Sequence, residues 1–139
     1  MKLYDYLPSG NSYKVRLLLS WLGQSYEHIP VDIHAGETHT PEYLVLNPAG
    51  QMPLLVLDDG RTIAESGAIL YYLALGTDYL PPDAYVQSQI LRWMLFEQNR
   101  HEPNIAGARF VTMYAPKRKG ELPGKHKAGY VALDIMEAH

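Results

Sequence analysis

Leu54–Leu57 and Arg61–Ile63 flank Asp58-Asp59-Gly60, a hairpin signal that restricts the fold more than any other feature of the chain. It predicts an antiparallel pair of strands, and what precedes it is of another kind. Lys2 to Tyr6 is a short Leu- and Tyr-rich run ending at Leu7-Pro8-Ser9-Gly10-Asn11, the pattern of a strand entering a loop. Val15, Leu18, Leu19 and Leu22 share one helical face, with Gly23 placed to stop the helix. Tyr26 to Ile33 alternates as a second strand, and Ala35-Gly36-Glu37-Thr38-His39 is a polar loop. Thr40-Pro41-Glu42 supplies an N-cap, a proline at the first helical position and an acid in the first turn of a short helix, which ends by Asn47-Pro48-Ala49-Gly50. After the hairpin, Ser66 opens a helix through Leu75 that stops at Gly76. A strand–helix–strand half followed by a strand–strand–helix half predicts an α/β domain with helices on both faces of a mixed four-stranded sheet.

From Gly76 to Pro82 the composition turns to Gly, Asp and Pro, and beyond it the pattern is wholly helical. The expected boundaries are a first domain over 1–76, a linker over 77–83 and a partial all-helical domain over 84–139. Gln87 to Gln98 carries Ile90, Leu91, Met94 and Leu95 at helical spacing, and Pro103 is expected to kink or end that helix. Ala115 to Gly124 reads as a basic, turn-rich loop. Tyr130, Leu133 and Met136 start another amphipathic helix that runs into the last residue. No helix follows to cover its apolar face. It is therefore expected to pack on the first domain or another chain, or the chain is a fragment.

Composition narrows the function. Apolar residues make up 47% and charged residues 19%, enough to bury a core. Twelve Lys+Arg against fifteen Asp+Glu leave a net charge of −3, with no basic stripe to displace counterions from a nucleic acid. The longest apolar run, Ala68 to Leu75, is too short to span a bilayer, and Met1-Lys2 leads into no signal-peptide core. These features predict a cytoplasmic protein that engages neither nucleic acid nor membrane. Without cysteine the chain offers no thiolate chemistry of its own, and its six histidines show no close metal-ligand spacing, so no metal is expected.

Ser9-Gly10-Asn11-Ser12 lies between the first strand and the first helix, its serines at the spacing of a Cys-x-x-Cys pair in a βαβ unit. A helix N-terminus presents free N–H groups and about half a positive charge, which favours an anion. A hydroxyl there is a poor nucleophile but a good donor to a thiolate brought by another molecule. The plainer alternative is that Ser9, Asn11 or Ser12 caps the helix. Gln51-Met52-Pro53 precedes a strand, where proline is awkward unless its bond is cis and the Met52 backbone turns outward toward a ligand. Glu65-Ser66 opens a helix whose hydroxyl and free N–H groups suit a carboxylate, or the serine is an ordinary cap.

Taken together, Ser9-x-Asn11, Asn47-Pro48-x-Gly50-Gln51-x-Pro53 and Glu65-Ser66-x-Ala68-Ile69-x-x-Tyr72-Leu73 resemble the cytosolic glutathione transferase family, from Lys2 to the chain end. The nearest likeness is to bacterial zeta-, phi- and nu-like branches. The resemblance implies a thioredoxin-like N-terminal domain that binds glutathione as cosubstrate, an all-helical domain that shapes a pocket for a small electrophile, and a homodimer. It implies that Ser9 donates to the glutathione sulfur, with Asn11 second. Met52 and Pro53 would hold the cysteinyl part, Glu65 and Ser66 the γ-glutamyl end, and His39 and Gln51 the glycine end. In zeta-like members a cysteine stands where this chain has Asn11, which weakens an isomerase reading. Tyr13, Glu97 and His101 are the candidates for the second-substrate pocket, with Tyr114 beside them; Trp93 and Phe96 are candidates too, but ordinary helix-packing core is the preferred reading of both.

The implied reaction is attack of bound thiolate on a small electrophile, or reduction of a glutathione mixed disulfide. Family members carry further helices in the second domain, so impaired turnover is expected of a chain this short. Two rivals stand beside it: a truncated, catalytically weak glutathione-binding module, and a purely structural dimerising module. Glutathione affinity separates the last from the others, and turnover with an aryl halide separates the first two.

Overall fold

The computed structural model describes residues 1–139, which fold as two units, Met1–Leu80 and Pro81–His139. In the first unit β1 (Lys2–Asp5) is central, paired in parallel with β2 (Glu27–Pro30) and antiparallel with β3 (Leu54–Val56). β4 (Thr62–Ala64) closes the far edge, giving the order β2-β1-β3-β4. The parallel pair is joined by α1 (Gly10–Trp21), as a crossover requires. The antiparallel pair is joined by the Asp58-Asp59-Gly60 turn, where Gly60 has φ +86° and its N–H donates to the Leu57 carbonyl at 3.0 Å. This is the mixed four-stranded sheet expected from the element order, in the thioredoxin-like arrangement that the family resemblance implies.

Strand alternation divides the sheet into two covered faces. Tyr4, Leu54 and Ala64 lie opposite one another in register and pack with Val31 and Tyr43, the latter from α2 (Pro41–Leu46). Leu3, Asp5 and Leu55 point the other way, where α1 and α3 (Ser66–Ala74) pack together. Leu3, Val15, Leu19, Leu54, Leu55 and Ile69 are fully buried. Each such side chain stabilises the fold by about 1.5–3 kcal/mol relative to exposure. Thr40 caps α2 by accepting from the Tyr43 N–H at 3.3 Å, with Pro41 in the first turn, as its sequence predicts. The second strand is shorter than the alternation from Tyr26 to Ile33 suggests: Val31 still donates to the Asp5 carbonyl, but the chain then turns away.

In the second unit Asp83 caps α4 (Ala84–Phe96), accepting from the Val86 N–H at 2.8 Å. Pro103 does not end the helix. Residues Glu97–Ala106 form a π-helical stretch that carries the proline and continues into α5 (Gly107–Tyr114). Lys125 donates to the Pro103 carbonyl at 2.9 Å, so a neighbouring helix takes up that acceptor. The basic segment expected to be loop is a 3-10 turn at Pro116–Glu121, and α6 (Leu122–Glu137) starts well before Tyr130. Val111 and Ala132 form the buried centre of this unit. No helix is long and apolar enough to cross a membrane.

Candidate functional site

Three segments of the first unit meet at one place: the start of α1, the Gln51–Pro53 turn and the start of α3. Ser9 is the α1 N-cap, its Oγ accepting from the Ser12 N–H at 3.3 Å. An accepting hydroxyl keeps its O–H free to donate elsewhere, so capping and donation to an anion are compatible in one side chain. The Gly10 and Asn11 amides belong to the first turn and have no acceptor within the helix. Ser12, fully buried, donates to the Met52 sulfur at 3.3 Å and ties α1 to the turn.

The Met52–Pro53 peptide is cis. Its position is fixed from behind by a pair that sequence reasoning missed. The Tyr43 hydroxyl and the Asn47 side-chain amide both donate to the Gln51 carbonyl, each at 2.7 Å. Burial pushes the Tyr43 phenol up to about 12, with Tyr4 adding to the shift, so it stays a neutral donor at any ordinary pH. Thr38 Oγ1 and His39 Nδ1 share a hydrogen bond at 2.9 Å, and the His39 ring lies against Gly50. Gly50 has φ +61°, and a Cβ there would come within 3.1 Å of the His39 ring. His39 and Gln51 are exposed beside this turn.

Ser66 is buried and does not cap α3. Its hydroxyl donates to Asn11 Oδ1 at 3.3 Å, and the capping position belongs to Glu65, whose side chain makes no cap hydrogen bond. Glu65 has φ +68°, a left-handed conformation that costs a non-glycine residue roughly 1–3 kcal/mol. With its carbonyl engaged by Ser66, the Asn11 amide keeps its two N–H donors. Two helix N-termini, each carrying partial positive charge, thus converge with the hydroxyls of Ser9 and Ser66 between them. The arrangement can hold an extended ligand that brings one anion to each helix start.

Ser9, Asn11, Met52, Pro53 and Ser66 are therefore neighbours, with Glu65, Gln51 and His39 at the margins. Tyr13 stands exposed on α1, while Glu97 and His101 belong to the π-helical stretch of the second unit.

The family model described as "Glutathione S-transferase, N-terminal domain" matches residues 1–75. A maleylacetoacetate isomerase from Pseudomonas aeruginosa is 40% identical over 94 residues, covering 66% of this chain and 43% of that protein. The chain thus spans less than half the length of this curated relative. The crystal structure of a glutathione S-transferase from Pseudomonas fluorescens superposes with a TM-score of 0.95 at 46% identity, covering 99% of this chain and 70% of that one. Ure2p in complex with glutathione superposes at 0.89 with 29% identity, covering 99% and 66%.

Proposed function

The chain belongs to the glutathione S-transferase family, and from that premise we propose that its first unit binds glutathione, lowers the pKa of the thiol and presents the thiolate to a small electrophile. The observation that carries this reading is the meeting of Ser9, Asn11 and Ser66 at two helix starts beside Met52–Pro53. Ser9 donates its free O–H to the sulfur, and Asn11 is the second donor. The Ser66 N–H and the α3 N-terminus hold the γ-glutamyl carboxylate, the Ser66 hydroxyl exchanging its Asn11 Oδ1 acceptor for a carboxylate oxygen when the ligand binds, with Glu65 near the amino group of the same end. The Met52 backbone pairs with the cysteinyl amide, and His39 and Gln51 face the glycine carboxylate. Tyr13, exposed on α1 of the same unit, is assigned to the electrophile.

A free thiol of pKa about 8.5 is mostly protonated at neutral pH. Lowering it by two units takes roughly 2.7 kcal/mol of preference for the thiolate. A helix N-terminus and one or two directed hydrogen bonds are of that size. Conjugation forms the new bond from sulfur to the electrophilic carbon and expels the leaving group, with no protein sulfur involved. The proposed assembly is a homodimer, supported by Tyr71, Tyr72 and Leu75 exposed on and just after α3. Sedimentation at the monomer mass would remove that element of the proposal.

The test is calorimetric titration with glutathione. Ser66→Ala should raise the dissociation constant roughly ten- to a hundredfold, since a hydrogen bond to a charged group is worth about 1.5–3 kcal/mol. Wild type without measurable binding would overturn the reading.

A further inference from the structure

Ser9 sits at the end of the turn that leads from β1 into α1. The Leu7 side chain is 63% exposed, and Pro8 has no N–H to donate. The Ser9 N–H closes the turn onto the Tyr6 carbonyl at 2.8 Å. A second tie comes from two turns further along α1. Arg16 sends one guanidinium nitrogen to the Leu7 carbonyl at 3.0 Å and another to Asp5 Oδ2 at 2.5 Å. Asp5 is fully buried, and its Oδ1 has no hydrogen-bond partner, so Oδ2 carries all of its polar contacts. A buried carboxylate satisfied on one side holds its cation tightly, because releasing the guanidinium would strand the charge. The Arg16 fork is further packed over the Tyr13 ring, 5.8 Å from its centroid. His28 also reaches Asp5 Oδ2, at 3.0 Å, but the Leu7 carbonyl is held by Arg16.

We infer that Arg16 is a positioning residue for Ser9: it uses the buried Asp5 as an anchor and clamps the Leu7 carbonyl, so that the Ser9 hydroxyl is held where it donates to the thiolate. The inference rests on the reading of Ser9 given above. β1, α1 and the turn between them become one closed bracket, with the anchor at the end of the strand and the clamp two residues later. The requirement is for a planar fork with donors in two directions. Lysine carries the same charge but is a point donor on a flexible stem, and cannot reproduce both contacts.

The experiment follows the ultraviolet thiolate absorbance of bound glutathione against pH, with calorimetry run beside it. Arg16→Lys should keep the fold, since the Asp5 charge stays paired. It should leave the glutathione dissociation constant within about threefold, and raise the bound thiol pKa by about one unit, a tenfold loss of thiolate at neutral pH. The conjugation rate should fall in step at pH 7 and recover as pH rises. His28→Gln is the control for a merely structural role: it removes a contact to Asp5 but not the clamp, and should leave the thiol pKa as in wild type. Where Arg16→Lys fails to fold, the paired Asp5→Asn/Arg16→Gln variant removes both charges together and should show the same pKa rise. An Arg16→Lys thiol that titrates with wild type, or a His28→Gln thiol that shifts as far as Arg16→Lys, would overturn the clamp while leaving the glutathione reading intact. A wild-type thiol that titrates as free glutathione overturns both.

Discussion

Tyr43 shows how one buried hydroxyl reaches the site without touching a ligand. It is 5% exposed, packs edge-on against Tyr4 at 5.9 Å between centroids, and donates to the Gln51 carbonyl. Tyr43→Phe should destabilise the fold by about 1 kcal/mol at pH 7, a modest figure because Asn47 still donates to the same oxygen. The pH dependence has a definite sign. The folded pKa is raised from 10.0 to about 12, so the unfolded chain loses this proton first. The stabilisation is complete below pH 10 and drains away as pH rises from 10 toward 12. Denaturant midpoints at pH 9 and pH 12 should therefore fall further in wild type than in Tyr43→Phe, by about 2 kcal/mol allowing for partial solvent screening. Equal losses would show that Tyr43 titrates normally. Ser9 and Ser66 were legible in the sequence because each stands at a helix start, a position with a fixed chemistry. Tyr43, Asn47 and Arg16 were not. Their roles depend on which carbonyl the folded chain brings within reach, and no spacing rule encodes that.

At the scale of elements, the turns were the most legible part of the chain. Gly, Pro and Asx residues mark conformations that few other residues adopt, so the hairpin, the Thr40 cap and the stop at Gly23 could be placed from sequence. Two glycines in such turns make opposite cases for substitution. Gly60 has φ +86° with open space around it, so Gly60→Ala meets only the backbone penalty, about 1 kcal/mol. Gly50 adds the His39 ring at 3.1 Å and the Thr38 carbonyl at 3.3 Å. Gly50→Ala should cost more than Gly60→Ala in thermal unfolding and should also weaken glutathione binding, which Gly60→Ala should not. Equal effects of the two would mean that the Gly50 turn is not coupled to the site. At Pro103 element reading expected a kink or an end; the helix does not end there, but its backbone departs from α to π. Proline as a helix breaker is a rule about α-helices, and a π-helical backbone supported by Lys125 evades it. The start of α6 was missed for a related reason: its first turns, Leu122 to Lys127, hold Pro, Gly and three basic or His side chains, a composition that imitates a loop.

Over the whole molecule, the residues assigned to glutathione all lie in the first unit, so the binding reading stands on a region that the family match covers throughout. Turnover is a separate matter. It needs a second substrate held and oriented against the sulfur as well. The central claim is thus narrower than an activity: a helix start, a serine hydroxyl and an asparagine amide make the thiol of bound glutathione more acidic. The measurement that meets it most directly is the thiolate absorbance of the wild-type complex followed from pH 5 to pH 10, with Ser9→Ala and Asn11→Ala alongside. The bound wild-type thiol should titrate about two units below the 8.5 or so of a free thiol. Ser9→Ala should move most of the way back while still binding glutathione, and Asn11→Ala should move less. A wild-type complex titrating with the free thiol would contradict the account, and a larger shift in Asn11→Ala than in Ser9→Ala would reassign the principal donor to Asn11.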